Sequence, residues 1–299
     1  MKNPLETRFF HVLTLRNATF RWGERTYIMG ILNATPDSFS GDGLLKAGDI
    51  VAKAVSQARQ MLAEGADILD VGGESTRPGS APVTAEEELR RVIPIIQAVR
   101  AETDAVISID TSKAAVAEAA LAAGADMIND VWGLRLDAKL AGVVAEAGCP
   151  VILMHNRSKR DHVQIDPALG GRYVGVAYDH LMEDIKLELN ISLMLAHRAG
   201  ISDDKIILDP GVGFGKTVEQ NLEIVNRLHE IKILGYPVLL GASRKSFIGY
   251  TLDLPPHQRA EGTAAITAIG IARGADMVRV HDVLMNTRVA RMTDALIRF

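Results

Sequence analysis

Three short acceptor side chains, Asp110, Asn129 and Asp209, each sit inside or at the last position of an apolar run: AVISID (105–110), MIND (127–130) and IILD (206–209). A carboxylate ending a buried run is costly unless a ligand supplies donors. Two carboxylates and a carboxamide suit a flat heterocycle with an amide and amino edge. An ionised Asp accepts two parallel N–H bonds, and an Asn pairs with a donor and an acceptor at once. Other run ends are basic or hydroxylic: Arg244 and Lys245 between Ser243 and Ser246, and Arg279 with His281. That grouping suits an anion, a phosphate, beside the ring. Asn33, Glu74 and His155 supply further polar ends.

The elements that must carry these residues are legible from the punctuation. A phrase recurs as EGADILD (64–70), AGADMIND (123–130) and RGADMVRV (273–280), in which an amphipathic run stops at a glycine just before an apolar one. Gly65, Gly124 and Gly274, with Gly148, Gly200 and Gly235, read as helix C-caps feeding the next strand, because glycine adopts the left-handed conformation most cheaply. The apolar runs are YIMGIL (27–32), DILDVG (67–72), VILMH (151–155), VLLGAS (238–243), MVRVH (277–281) and the three named above, eight in all. They are short and uniformly apolar, as expected of strands covered on both faces. Thr84 with Glu87 and Thr217 with Gln220 fit capping boxes. Eight strands alternating with helices predict an α/β fold, a (β/α)8 TIM barrel spanning 1–299 as a single domain. A doubly wound sheet is the structural alternative. Residues 8–26 alternate with period 2 around Asn17 and predict a β-hairpin closing the bottom of the barrel. The two prolines near Leu254–His257 place a long connection between the seventh strand and its helix. Barrel enzymes build their sites at the C-terminal strand ends, where the polar residues cluster.

Composition removes several function classes. The chain has 299 residues with 33 basic and 37 acidic side chains, a net charge of −4, and no basic run that could track a nucleic acid. Cys149 stands alone, so neither an internal disulfide nor a Cys-based zinc site is expected. No uncharged apolar stretch reaches the ~18 residues of a membrane span, and the first ten residues lack the apolar core of a signal peptide. A cytoplasmic protein without membrane or nucleic-acid partners is expected. PGVGFGKT (210–217) imitates a phosphate loop, but Pro210 stands where the first glycine belongs. It reads as a glycine-rich turn at the barrel rim. HNRSKR (155–160) reads as a solvated basic loop, with extra diphosphate contacts as the alternative.

GILNATPDSFS (30–40) and DVGGESTRPGS (70–80) resemble the two signature loops of the dihydropteroate synthase family. The resemblance continues in order through SIDTSK (108–113), IND (128–130), LDPGVGFGKT (208–217), GASRKSFIG (241–249) and VRVHDV (278–283). It implies an enzyme of folate biosynthesis that joins (7,8-dihydropterin-6-yl)methyl diphosphate to p-aminobenzoate, releasing diphosphate. By the same resemblance Asp110, Asn129, Asp209, Lys245 and Arg279 would bind the pterin, and Thr76, Arg279 and His281 the diphosphate. Phe214, Lys245 and Ser246 would line the p-aminobenzoate slot, where sulfonamides compete. Asn33 would ligate Mg2+, and Phe39, Asp42 and Arg77 would belong to loops that close over the site. A homodimer through outer helices is the implied assembly. The chemistry needs no strong general base, since an aromatic amine is already neutral at pH 7 and positioning can supply most of the rate.

Two departures qualify the match. Gly41 stands where many members of the family place an acid, moving that carboxylate to Asp42, and the segment after the fifth strand is more basic than the family's pattern. Two other readings keep the pterin pocket: methyl transfer from methyltetrahydrofolate to a corrinoid protein, and a pterin-binding paralogue without catalysis. Neither explains the paired signature loops together with the Ser-Arg-Lys-Ser turn.

Overall fold

The computed structural model describes residues 12–34, 47–75, 78–159, 162–174 and 177–298. An antiparallel hairpin, β1 (Val12–Leu15) and β2 (Ala18–Arg21), leads into the first of the parallel strands. These are β3 (Tyr27–Asn33), β4 (Ile68–Gly72), β5 (Val106–Asp110), β6 (Met127–Asp130), β7 (Val151–Met154), β10 (Ile206–Asp209), β11 (Leu239–Leu240) and β12 (Met277–Val280). They pair in the order β10-β7-β6-β5-β4-β3-β12-β11. A parallel bridge between Leu208 and Val238 joins the two ends, so the sheet closes into the expected (β/α)8 barrel. Outside it lie α1 (Ala47–Ala63), α2 (Ala85–Glu102), α3 (Ala114–Ala122), α4 (Leu140–Ala147), α5 (Leu181–Ala199), α6 (Val218–Asn226), α7 (His229–Lys232), α8 (Ser246–Leu252), α9 (Ala260–Ala272) and α10 (Val283–Ile297).

Side-chain alternation divides the barrel into layers. Met29, Ile68, Val106, Met127, Ile152, Ile207, Leu239 and Met277 meet inside the barrel. The adjacent residue on most strands, such as Ile28, Leu69, Ile107 and Leu208, packs outward on the helices. Further along, the inward positions become polar: two residues on at Asp70, Asn129, Asp209 and Arg279, and at both Ser108 and Asp110 on β5. An apolar floor thus lies directly beneath a polar layer. Leu13, Phe20 and Trp22 of the hairpin join that floor. Phe20 stacks on Trp22 at 5.7 Å and meets Tyr27 at 4.9 Å, plugging the N-terminal end as the alternation around Asn17 predicts.

The recurring Gly-Ala-Asp phrase has two functions. All six predicted capping glycines have positive φ, between 60° and 112°. The aspartate that follows latches onto the adjoining strand. Asp67 accepts from Ile28 N–H at 2.8 Å, Asp126 from Ile107 N–H at 2.8 Å, and Asp276 from Val238 N–H at 2.7 Å. Each also holds a cation: Arg25 at 3.0 Å, Arg100 at 2.6 Å and Lys232 at 2.5 Å. Thr84 accepts from Glu87 N–H, and Thr217 with Gln220 forms the full reciprocal box.

Three sequence readings change. The segment after β7 is drawn inward at its start, since His155 and Asn156 are buried and Arg157 is half-buried, while Lys159 is exposed. It runs on into an unanticipated antiparallel hairpin, β8 (Val163–Asp166) and β9 (Gly170–Tyr173). Helix α8 begins directly after Lys245, so Leu254–His257 follow a helix rather than precede the first one. Removing the plug by Phe20→Ala should lower the unfolding free energy by about 3–5 kcal/mol, read from urea denaturation, because the barrel floor cannot collapse into the gap.

Candidate functional site

Arg279 is the hub of the polar layer. Its Nε donates to Asp70 Oδ2 at 2.6 Å and its Nη2 to Asp110 Oδ2 at 2.7 Å. Asn129 Nδ2 donates to the same Asp70 oxygen at 3.0 Å. Asp209, on the far side of Arg279, accepts from Gly211 N–H at 2.7 Å. A Cβ added at Gly72 would lie 3.6 Å from Asp110 Oδ2, and one at Gly241 3.5 Å from Asp209 Oδ2, so these strand ends keep space open beside the carboxylates. Asp110, Asn129, Asp209 and Arg279 therefore converge as the sequence leads one to expect. Asp70, wholly buried between them, is the member of this layer that sequence reasoning misses. Its only signal was its inward register two residues after Ile68.

Burial sets the charge states. It pushes the Asp110 carboxyl up to about 7, against the pull of Arg279, and also raises Asp209. Burial lowers Lys245 to about 8 although Asp209 favours its cation. The guanidinium of Arg279 stays charged, its pKa raised by Asp70 and Asp110 against burial.

The glycine-rich turn is built around a buried amine. Lys216 Nζ bonds the carbonyls of Gly211 (2.9 Å) and Phe214 (3.0 Å) and His155 Nδ1 (2.9 Å). Burial holds its pKa well below the ordinary lysine value. Gly211 has φ +69°, and an added Cβ would sit 1.8 Å from His155 O, so only glycine fits. The turn presents Phe214 beneath Lys245, whose Nζ lies 4.3 Å from the ring centroid and also bonds Val212 O. Arg244, at φ +54°, makes the sharp bend that puts Lys245 at the N-cap of α8 with Ser246 next. Its guanidinium is engaged by Asp282 at 2.9 Å and so is not part of the anion cradle.

Other anticipated residues stand further out. Asn33 ends β3, half-buried. His281 N–H donates to Ser243 Oγ at 3.1 Å, and its Nδ1 lies 3.0 Å from the same oxygen. Phe39, Asp42, Thr76 and Arg77 lie outside the described residues. Around that second loop, Glu74 pairs with Lys113, which also holds buried Glu88 at 2.5 Å, and Arg91 bonds Gly73 O at 2.8 Å. The β8–β9 hairpin abuts the loop. A Cβ at Gly171 would meet Pro78 O at 2.6 Å, while Tyr250 of α8 bonds Gly170 O at 3.0 Å.

The basic segment after β7 is an internal ion cluster. Glu188 of α5 takes Arg135 at 2.8 Å, takes Arg157, and lies 3.3 Å from His155 Nε2. Burial, and then Lys216, hold His155 neutral, with its pKa down at about 3. Among the described residues no group of three His, Cys, Asp or Glu could hold a metal ion, and no helix is long and apolar enough to cross a membrane.

The family described as pterin binding enzyme matches residues 29–281. A dihydropteroate synthase of Clostridium beijerinckii is 53% identical over 280 residues, covering 93% of this chain and 97% of that protein. A crystal structure of the Clostridium difficile dihydropteroate synthase, determined in the presence of pteroic acid, superposes with a TM-score of 0.85 at 50% identity, covering 93% of this chain and 99% of that one. The Xanthomonas albilineans dihydropteroate synthase with 4-aminobenzoic acid gives a TM-score of 0.86 at 38% identity, covering 97% and 99%.

The ion cluster makes a pH-dependent prediction. Partners hold the Glu188 pKa below the ordinary carboxylate range despite burial, so its stabilisation is present at neutral pH and is lost as pH falls beneath that range. Glu188→Gln should cost about 1–3 kcal/mol at pH 7 by urea denaturation, with the gap to the parent narrowing steadily below pH 4.

Proposed function

The chain belongs to the dihydropteroate synthase family of pterin-binding enzymes, and we propose that it condenses (7,8-dihydropterin-6-yl)methyl diphosphate with p-aminobenzoate to give 7,8-dihydropteroate and diphosphate. The observation that carries this reading is the convergence of Asp110, Asn129 and Asp209 around Arg279 above an apolar floor, with Lys245 and Phe214 at its edge. The three acceptors match the N–H-rich edge of a pterin. Two of them are carboxylates raised by burial, and ring donors would replace the water each has lost.

In this reading Lys245 and the exposed face of Arg279 hold the ring. Arg279 commits two N–H groups to Asp70 and Asp110, which fixes the plane of its guanidinium. His281, steadied by Ser243, and Thr76 take the diphosphate end. Phe214, Lys245 and Ser246 line the p-aminobenzoate slot, aligning the neutral amine with the 6-methylene carbon as the C–O bond breaks. Cationic side chains beside the departing oxygens stabilise the charge that grows there. Phe39, Asp42 and Arg77 would close over the reactants and exclude water.

Asn33 offers a single hard oxygen from the end of β3, half-buried. That suits Mg2+ held jointly by the protein, the substrate diphosphate and water, rather than by a protein cage. When bound, Mg2+ supplies charge neutralisation for the leaving diphosphate. The same reading places the enzyme in the cytoplasm, one domain per chain, as a homodimer through its outer helices. Exposed Leu284, Met292 and Leu296 on α10 support that assembly.

The test is an assay with both substrates and Mg2+, following diphosphate and dihydropteroate by chromatography. Product formation is expected, and its absence would refute the reading. Asp110→Ala and Asp209→Ala should each weaken pterin binding about 10–100-fold in calorimetry, the loss of a charged hydrogen-bond acceptor. Arg77→Ala should lower turnover more than substrate affinity. Because Asp110 titrates near 7 and only its ionised form accepts two donors, pterin affinity should fall roughly tenfold between pH 8 and pH 6.

A further inference from the structure

Asp70 touches two of the binding groups named above, and it is 0% exposed. Both of its hydrogen bonds fall on one oxygen: Oδ2 takes Arg279 Nε at 2.6 Å and Asn129 Nδ2 at 3.0 Å. Its other oxygen, Oδ1, is buried without a partner among the described residues. A carboxylate placed to satisfy itself would spread its donors over both oxygens. This one is placed instead by what it holds.

The consequence for Asn129 is chemical. Only the amide nitrogen can donate to a carboxylate, so the bond to Asp70 dictates which end of the carboxamide points where. One N–H is spent on Asp70, leaving Oδ1 and the second N–H for the cavity. Asn129 therefore offers an acceptor beside a donor in one fixed order. A 2-amino-4-oxo ring shows an exocyclic N–H beside an unprotonated ring nitrogen. A 2,4-dioxo ring reverses that pair, with a carbonyl oxygen beside a ring N–H. Rotating the Asn129 carboxamide by half a turn would reverse the order it presents.

We infer that Asp70 is a specificity-determining positioning residue: by holding the Asn129 carboxamide in one orientation, with Arg279 Nε as the second anchor, it makes the site select the amino-oxo ring over the dioxo ring. This inference rests on the pterin reading of the site and deepens it. Arg279 is shared between Asp70 and Asp110, so the anchor and the ring acceptor form one connected unit. Neutral replacements divide the two roles of Asp70. Asp70→Asn keeps an oxygen that Arg279 Nε can hold, and that oxygen still accepts from Asn129. Asp70→Ala keeps neither bond and frees the carboxamide to turn.

The experiment is calorimetry on the full chain with two probes, a pterin and the lumazine bearing the same 6-substituent, after circular dichroism has verified folding. The parent should prefer the pterin. In Asp70→Ala the ratio of the two affinities should collapse by about tenfold or more, the order expected when a buried group can re-pair with the competing ring. Asp70→Asn should keep the parent ratio within about twofold, because the carboxamide order survives. A purely structural counter-ion would weaken both probes equally, so an unchanged ratio in Asp70→Ala overturns the inference, as does a collapsed ratio in Asp70→Asn. Should Asp70→Ala not fold, Asp70→Ser takes its place, because a hydroxyl pairs with either end of the carboxamide and so no longer fixes its order; its ratio should also fall, and an unchanged one overturns the inference. A parent that binds neither probe would instead bring down the pterin reading itself.

Discussion

A cation held inside the barrel organises everything around it. Arg279 has its charged group between Asp70 and Asp110, where burial alone would penalise it heavily. The arrangement persists because the two carboxylates return the charge and because each of its engaged N–H groups meets an oxygen at hydrogen-bond distance. Removing either carboxylate would leave a buried charge short of a partner. This constraint couples the three inner strands β4, β5 and β12, and through Asn129 it reaches β6.

Such a layer is tolerable only on a rigid support. The floor beneath it is apolar and buried, closed by Phe20, Trp22 and Tyr27, which shields the charges from below. At the N-terminal rim the aspartates of the Gly-Ala-Asp phrases hold neighbouring strands in register. At the other end Lys216 gathers the carbonyls of the glycine-rich turn, and the Glu188 cluster holds the segment after β7 against α5. Each device satisfies polar groups that strand ends would otherwise bury unpaired.

Balanced charge also describes the chemistry. Burial pushes Asp110 up to about 7 and Lys245 down to about 8, each toward its uncharged form, while Arg279 resists at Asp110 and Asp209 resists at Lys245. In the proposed reading such groups would bind a ligand edge strongly, since the ligand would supply what solvent cannot. In that reading they leave the reaction to orientation and leaving-group stabilisation, which fits a nucleophile that arrives neutral.

The sequence by itself determined the barrel and the ring of strand-end residues. Strand runs, glycine stops and caps are local signals, read from short uniformly apolar runs and from the residue type that adopts positive φ most cheaply. Asp110, Asn129 and Asp209 stood out because a polar residue ending an apolar run is locally anomalous. Tertiary structure alone decided their partners. Asp70 meets Arg279 across 209 positions of chain, and Arg244 turns to Asp282 instead of the anion cradle, choices set by strand register and barrel closure. The segment after β7 reads as solvated because basic residues usually are, yet Glu188 on a later helix draws it inward. A pairing of that kind has no period and no fixed spacing, so it emerges only when the closed sheet brings distant strands within a few ångströms.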